Sequence, residues 1–358
     1  MARRLLLGSA IALGVTLIAA PAFACGGLIG PNGAVNLGRT TTLAAYHNGI
    51  EHYVTAFTFT GASGGSFGSI TPLPGIPTKV ERGGSWTLQR LEREVAPPIP
   101  KGVVFAEAAA IPAPSRAQVI LQTKIDALDI TILKGGALAV GTWAEEHGFN
   151  LPPDAPAVLD FYARRSEIFM AARFDVASAV KRGQREGDGT PIHLTIPTKN
   201  PWVPLRILAL GKQSSEVIGA DVFLLTDGVP AMLPAPLGAR NVAGGPIATG
   251  LDLVRSERAS KSLMTDLKID KGMGWMPSSM WLTFIQVNAP ASTLGYDLAI
   301  DASGRNQPSL QAAGFPSGIA TAARHIRDSL PVWLGLAAAG AMTGGLLTTL
   351  LRRRVRPA

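Results

Sequence analysis

Two of the five histidines in this 358-residue chain lie on one predicted hairpin, where they could bind a metal ion. The dipeptide Asn48-Gly49 separates two alternating runs, which is the strongest short-range signal for a two-residue β-turn. That turn pairs His47 with Ile50, and the next pair on the same face includes His52, so the imidazoles are diagonal neighbours. His47 and His52 are therefore weak candidates for metal ligands. Because no third ligand is indicated nearby, we expect solvent-facing histidines without a metal.

Other chemical patterns in the sequence fall short of a known catalytic motif. Residues 61–65 match the GxSxG pattern of α/β-hydrolases, but that pattern must open a helix, and residues 66–77 hold two Gly and three Pro instead. The same glycines lack the Lys-Ser/Thr of a phosphate-binding loop. Glu145-Glu146-His147 lacks the spacing of the zinc-protease motif HExxH. We therefore predict no catalytic or cofactor-binding residue and no cofactor, and an enzyme is the less favoured interpretation.

The charge of the chain is concentrated at its two ends. Lys and Arg number 33 and Asp and Glu number 25, for a formal net charge of +8. Six arginines lie in the first four and last seven residues, so the body between them carries only +2. A nearly neutral body offers no face that would neutralise phosphates, so we predict no nucleic acid partner. With 47% hydrophobic and 16% charged residues, the chain is expected to fold.

The N-terminus has the order of a secretory signal peptide. Two arginines precede an uncharged apolar run over residues 5–20, and small residues stand at 22 and 24. We predict a signal peptide over residues 1–24, with cleavage between Ala24 and Cys25.

Cys25 is the only cysteine, so an intrachain disulfide is excluded and the core must hold the exported fold. A lipid on Cys25 is the less favoured alternative, because bulky Phe23 stands where lipoprotein signals carry a small residue.

The C-terminus has the pattern of a membrane anchor. Residues 330–351 carry no charge and are long enough as a helix to cross a hydrocarbon core of about 30 Å. Cationic side chains stay on the cytoplasmic face, so the arginines that follow form a stop-transfer signal. These are Arg352, Arg353, Arg354 and Arg356. We predict a single-pass protein of the cell membrane, with its body outside and residues 352–358 as a cytoplasmic tail.

The predicted span also contains small residues at helical spacing. Gly340 and Gly344 form a GxxxG pattern, which lets two helix backbones approach closely. A homodimer through this helix face is one interpretation, and chance occurrence in a glycine-rich chain is the other.

The chain between its ends mixes many short strands with few, short helices. This pattern predicts an α+β fold with a mostly antiparallel, β-rich exterior body, in addition to the C-terminal transmembrane helix. After the hairpin, strands are predicted at 67–71, 118–125, 128–133, 168–174, 192–196, 205–210, 217–226, 280–287 and 294–300. Helices are predicted at 86–95 with Ser85 as N-cap, at 137–147 before Gly148, from Asp154 to about 164, at 256–267 and at 319–327.

Composition shifts divide this body into parts. We predict a main exterior α+β domain over 25–228, a Pro/Gly-rich excursion over 229–250 and a smaller second part over 251–300. Residues 301–329 are predicted to form a polar stalk to the membrane.

Several separated segments resemble an exported bacterial family catalogued as domain of unknown function twenty-three-thirty. The resemblance runs from about Cys25 to Val229. Its segments are Cys25-Gly26-Gly27, HYVTAFTF at 52–59, TPLPGIP at 71–77, WAEEHGFNLP at 143–152 and PLRI at 204–207. The resemblance implies export and a cell-envelope setting, without an established activity or catalytic residues. Family members often carry a second cysteine shortly after Cys-Gly-Gly, and residues 28–30 here have none.

Taken together, these observations favour a binding or scaffolding role for the exported body, with an envelope protein as partner. Two alternatives stay open. One is an envelope hydrolase or modifying enzyme whose site is assembled from distant residues. The other is a metal- or ligand-sensing exterior domain that signals through a partner.

Overall fold

The computed structural model describes residues 27–30, 33–34, 39–58, 67–96, 118–184, 189–241 and 245–316. Several predicted features lie outside these residues: the signal peptide with Ala24 and Cys25, the span over 330–351 with Gly340 and Gly344, and the arginines that follow it. The helix predicted at 319–327 also lies outside them. Among the residues that are described, no helix is both long and apolar enough to cross a membrane.

The described chain is built mainly from strands. These are β1 (Gly27–Gly30), β2 (Gly33–Ala34), β3 (Thr40–His47), β4 (Ile50–Thr58), β5 (Phe67–Leu73), β6 (Lys79–Arg82), β7 (Gln118–Ile125), β8 (Leu128–Lys134), β9 (Ile168–Phe174), β10 (Gly189–Pro197), β11 (Trp202–Val203), β12 (Val217–Thr226), β13 (Ala231–Leu233), β14 (Ala235–Leu237), β15 (Ile247–Arg258), β16 (Trp281–Pro290) and β17 (Leu298–Asp301). The helices are α1 (Thr87–Val95), α2 (Ala137–Glu146), α3 (Ala155–Ala163), α4 (Val176–Lys181) and α5 (Lys261–Ile269), with short 3₁₀ helices at Arg206–Ala209 and Ala291–Thr293.

The strands form three sheets. The largest has eight strands in the order β14-β15-β16-β12-β3-β4-β10-β6. A second has six strands in the order β2-β1-β5-β9-β8-β7, and a third contains β11, β17 and β13. Among the described strands, only β12 with β3 and β14 with β15 pair in parallel. The predicted β-rich, mostly antiparallel body with few short helices is thereby confirmed.

The predicted hairpin lies at the centre of the eight-stranded sheet. Asn48 and Gly49 have φ values of 50° and 80°, the left-handed conformation that a two-residue hairpin turn requires. The register pairs His47 with Ile50 and Ala45 with His52, as the turn predicts. This tight turn fixes which residues of β3 and β4 face each side of the sheet.

Both faces of the eight-stranded sheet are covered. Alternate residues such as Leu43 and Val54 pack with α1 and α5 in one buried cluster. The intervening residues, such as Ala44 and Tyr53, belong to a larger cluster that includes the six-stranded sheet, α2 and α3. A central strand buried on both faces leaves little room for polar side chains, so any polar residue on β4 must find a partner inside the protein.

Strand β5, which was predicted to end at residue 71, continues through Pro72. Pro72 pairs with Phe169 of β9, and β5 runs on to Leu73. On its other edge β5 pairs with β1 only over Gly68–Ile70. Proline has no backbone N–H, and no described strand lies beside residue 72 on that edge to need one.

Some predicted boundaries in the second half of the chain are wrong. The segment predicted as a strand at 205–210 contains the 3₁₀ helix Arg206–Ala209 instead, and β15 extends to Arg258, so α5 begins only after Ser260. The Ser260 hydroxyl caps α5 by accepting a hydrogen bond of 3.0 Å from the Leu263 N–H. Helix α4 was not predicted.

The parts proposed from composition are in contact in the fold. β15 and β16, from the predicted second part, lie in the same sheet as β3 and β4. Residues at the start of the predicted stalk also pack on the body. The Asp297 N–H donates to the Ala313 carbonyl at 3.0 Å, and Phe315 stacks on Tyr296.

Helix α1 is capped by a residue far away in sequence, not by Ser85. The Asp270 carboxylate accepts hydrogen bonds from the backbone N–H groups of Ser85 and Trp86, both at 3.1 Å, and from the Thr87 hydroxyl at 2.8 Å. A side chain at Gly84 would collide with this carboxylate. The cap therefore also ties α1 to the end of α5.

We predict that Asp270→Ala lowers the free energy of unfolding by about 2–4 kcal/mol, because it leaves two helix N–H groups and the buried Thr87 hydroxyl without their acceptor. Ser85→Ala should change it by less than about 0.5 kcal/mol. Urea denaturation of both variants distinguishes the two caps. A larger loss from Ser85→Ala than from Asp270→Ala would contradict the assignment.

Candidate functional site

A polar groove lies where the tip of the β3–β4 hairpin meets the end of β17. It consists of two adjoining clefts with volumes of about 370 Å³ and 290 Å³. Both clefts are lined by Lys199, Pro201, Ile300 and Asp301. The first also contains Tyr46, Asn48, Gly49, Asp227, Ala302 and Ser303, and the second contains Asn200, Asn306, Gln307, Pro308, Ser309 and Ala312. The second cleft is lined mainly by polar atoms, and the first exposes polar and apolar atoms in similar amounts.

A tight loop after β17 forms one wall of the groove. The Asp301 carboxylate accepts hydrogen bonds from the Ser303 hydroxyl at 2.9 Å and from the Asn306 N–H at 2.8 Å. Gly304 has a φ of 65°, and a side chain there would collide with the Val229 carbonyl. These contacts hold the loop in one shape, so the wall is formed before any ligand arrives.

His47 lies at the rim of the groove and contacts a carboxylate. Its Nδ1 is 2.6 Å from Asp227 Oδ1, and its Nε2 is 2.9 Å from the side-chain nitrogen of Asn48. An amide nitrogen only donates, so Nε2 carries the lone pair and Nδ1–H donates to Asp227. A carboxylate that orients an imidazole in this way can support general-base chemistry. Among the described residues, Asn48 is the hydrogen-bond partner of His47 Nε2.

Tyr46, which lines the groove, pairs across the hairpin with the buried Glu51, and both side chains have raised pKa values. The Glu51 side chain is fully buried, and this burial raises the pKa of its carboxyl to about 8, opposed in part by the Trp202 backbone. The pKa of the Tyr46 phenol is also raised, first by burial and then by Glu51, Asp301 and Asp227. The Tyr46 hydroxyl donates to the Thr198 carbonyl at 2.9 Å. Because its pKa is about 8, the Glu51 carboxyl is mostly protonated at neutral pH.

His52 lies away from the groove and is buried, so the expectation that it faces solvent is wrong. Its Nδ1 is 2.9 Å from Nε2 of His193 on β10, and the Trp275 ring stacks on it with centroids 3.6 Å apart. Helix α5 and the segment after it cover this face of the sheet, which the local sequence of a hairpin cannot show. Only 6% of His52 and 1% of His193 remain exposed.

The two predicted metal candidates thus have different partners. His47 contacts Asp227, and His52 contacts His193. In the ranges that the structure describes, no three His, Cys, Asp or Glu side chains are grouped to hold a metal ion. His193 and Trp275 were not singled out from the sequence. His193 lies within the apolar strand predicted at 192–196, and this position was the available sequence signal that its side chain is buried.

Burial keeps both members of the histidine pair neutral. Desolvation, followed by the neighbouring histidines, lowers the pKa of His52 to about 3. Desolvation lowers the pKa of His193 to about 4, although Glu81 acts in the opposite direction. Glu81 Oε1 lies 3.6 Å from His193 Nδ1. The pair therefore holds unprotonated lone pairs throughout the neutral range.

Together, these features define an α+β protein of mostly antiparallel sheets with a polar surface groove. The chain belongs to the family DUF2330, described as an uncharacterized protein conserved in bacteria, whose profile matches residues 19–226. The family resemblance expected from the sequence is thereby confirmed.

No curated protein matches the chain. Three solved structures share low similarity with it. A caspase-8/P35 complex is 8% identical, with 74% of this chain and 91% of that chain covered and a TM-score of 0.35. A mutated baculovirus P35 after caspase cleavage is 7% identical (74% and 94% covered, TM-score 0.34), and baculovirus P35 is 9% identical (75% and 93% covered, TM-score 0.34).

We predict that Glu51→Gln removes a pH-dependent loss of stability. The pKa of Glu51 is about 8 in the folded protein, above its ordinary value of 4.5. The folded state therefore binds the proton more tightly, and the wild type loses stability as the pH rises from 4.5 to 8. The variant should lack this loss, which amounts to on the order of 1 kcal/mol per pH unit.

Urea denaturation of both proteins at several pH values between 5 and 8 measures this difference. Glu257→Gln is the matched control, because the Glu257 side chain is half exposed. Parallel stability curves for wild type and Glu51→Gln would show that Glu51 is ionised in the folded protein.

Proposed function

We propose that this protein is an exported protein of the bacterial cell envelope whose body binds another envelope component in the polar groove. A single C-terminal helix holds it in the cell membrane, with the body outside and the basic tail in the cytoplasm. The signal-peptide pattern, the uncharged stretch over 330–351 and the arginines after it support this topology. Membership of a bacterial family is consistent with it.

The observation that carries the binding role is the prearranged groove. Its loop wall is fixed by Asp301, while Lys199 is exposed and forms no ion pair with any residue that the structure describes. Because ordering a flexible loop on binding costs free energy, a wall that is already ordered favours binding. An open groove made of two adjoining clefts, with polar side chains along both, fits an extended polar ligand that spans them.

A hydrolytic role is the second candidate, and one observation favours it. The 2.6 Å contact between His47 Nδ1 and Asp227 presents an oriented imidazole beside the groove. Asn48 would have to leave His47 Nε2 before that nitrogen could accept a proton from a substrate or from water. If this role is correct, His47→Gln abolishes turnover of an envelope substrate and leaves its binding in the groove intact.

Site-specific photo-crosslinking in cells tests the binding proposal. A photoreactive residue at Lys199 or at Asn306 should give one common adduct in the membrane fraction, because the two positions lie in adjoining clefts. The same residue at Leu138 is the matched control, since its side chain is 85% exposed on α2 and does not line the groove.

The proposal predicts no such adduct from position 138. The same adducts from all three positions, or none from the two groove positions, would contradict binding in the groove. Recovery of the protein in the cytosolic fraction would contradict the membrane topology.

A further inference from the structure

A second, buried feature has the chemistry of a soft-metal site. Two neutral imidazole nitrogens, His52 Nδ1 and His193 Nε2, face one another at 2.9 Å between β4 and β10. We propose that His52 and His193 bind a monovalent soft metal ion, Cu(I), with thioether sulfur from the methionines after α5 completing the ligand set. This site is separate from the groove and does not depend on the proposed function.

The separation of the two nitrogens is close to that of two ligands on one metal ion. Two nitrogen ligands at about 2.0 Å from one metal ion stand roughly 3.3 Å apart in tetrahedral geometry. Without the ion, one hydrogen lies between the two rings, and the neighbouring carboxylate of Glu81 favours Nδ1–H on His193. Nδ1–H of His52 then donates to His193 Nε2.

Binding leaves the proton count of the pair unchanged. The ion takes the place of the hydrogen between the rings, and His52 carries its hydrogen on Nε2 instead of Nδ1. His193 already has its hydrogen on Nδ1, so its Nε2 lone pair is available. Both rings stay neutral, and no proton is released.

Glu81 is placed where a metal-binding histidine needs a second partner. His193 Nδ1 is buried and has no hydrogen-bond partner, and Glu81 Oε1 lies 3.6 Å away from it. Lys79 Nζ holds the same carboxylate oxygen at 2.8 Å. A carboxylate behind a histidine fixes its tautomer and strengthens its other nitrogen as a ligand. A side chain at Gly272 would come within 2.8 Å of His193 Nδ1, so this glycine lets the chain pass close to the ring.

The segment after α5 contributes methionine side chains and a tryptophan to the side of the sheet that carries the histidine pair. Residues 272–280 read GMGWMPSSM, and Met273, Met276 and Met280 are buried together with Met264. Their cluster includes Ala45 and Val54, the residues that pair across the strands with His52 and His193.

The indole of Trp275 lies parallel to the His52 ring, at an angle of 4°. Thioether and imidazole ligands select Cu(I) over hard cations, and an aromatic face stabilises a nearby positive charge.

Titration with Cu(I) against a coloured Cu(I) chelator tests the site. The protein is the full chain in detergent, in a C25S background, because the thiol of Cys25 would bind Cu(I) itself. We expect one Cu(I) per chain, with nitrogen and sulfur neighbours in its X-ray absorption spectrum. Ag(I) should compete for the same site. H52N and H193Q should each abolish binding, and H47N, at the groove, should leave it unchanged.

Conservative methionine variants keep the test decisive if a histidine variant fails to fold. M273L/M276L preserves an apolar cluster of similar volume and should weaken Cu(I) binding at least tenfold, with little change in unfolding temperature. M170L, a buried methionine of the other cluster, should leave the affinity unchanged. Absence of Cu(I) binding to the folded C25S chain would overturn the proposal. Binding that persists in folded H52N or H193Q, or that M273L/M276L does not weaken, would also overturn it.

Discussion

The buried carboxylate of Asp297 joins three separate parts of the fold. It accepts hydrogen bonds from the Tyr162 hydroxyl at 2.9 Å and from the N–H groups of Leu205 and Arg206 at 2.8 Å and 3.0 Å, and it pairs with Arg165. No part of Asp297 is exposed. A buried charge is tolerated only when it is paired and fully hydrogen-bonded, so these four partners must arrive together. Helix α3, the 3₁₀ turn at 206–209 and β17 therefore have one relative arrangement.

That arrangement positions the groove. Asp297 immediately precedes β17, and the other end of this four-residue strand carries Asp301, which shapes the loop wall. The Arg165 guanidinium also donates to the Ala312 carbonyl at 2.7 Å, and Ala312 lines the second cleft. One ionic centre thus holds two parts of the groove wall, β17 and the chain at residue 312, from inside. The histidine pair lies on the opposite face of the eight-stranded sheet, where Trp275 stacks on His52.

The sequence predicts the local parts of this fold well and the long-range parts poorly. The Asn48-Gly49 turn and the Gly148 helix end depend on neighbouring residues, so they can be predicted without tertiary information. The cap of α1 comes from a residue 185 positions after Ser85, and the groove combines four separate stretches of the chain. His52 was expected to face solvent, because hairpin alternation gives its face but not what covers that face. Where a polar side chain meets a distant partner, only the fold shows the pairing.

Hydrogen–deuterium exchange of Asp297→Asn tests the central role of this carboxylate most directly. Asparagine keeps the size of the side chain and removes the charge that Arg165 needs, a loss of about 3–5 kcal/mol for a buried pair. We expect at least tenfold faster exchange in β17 and at residues 205–209, extending to the loop over 301–306, with β3 and β4 remaining the best-protected strands. Unchanged exchange in β17 and this loop would show that the groove is held by other contacts.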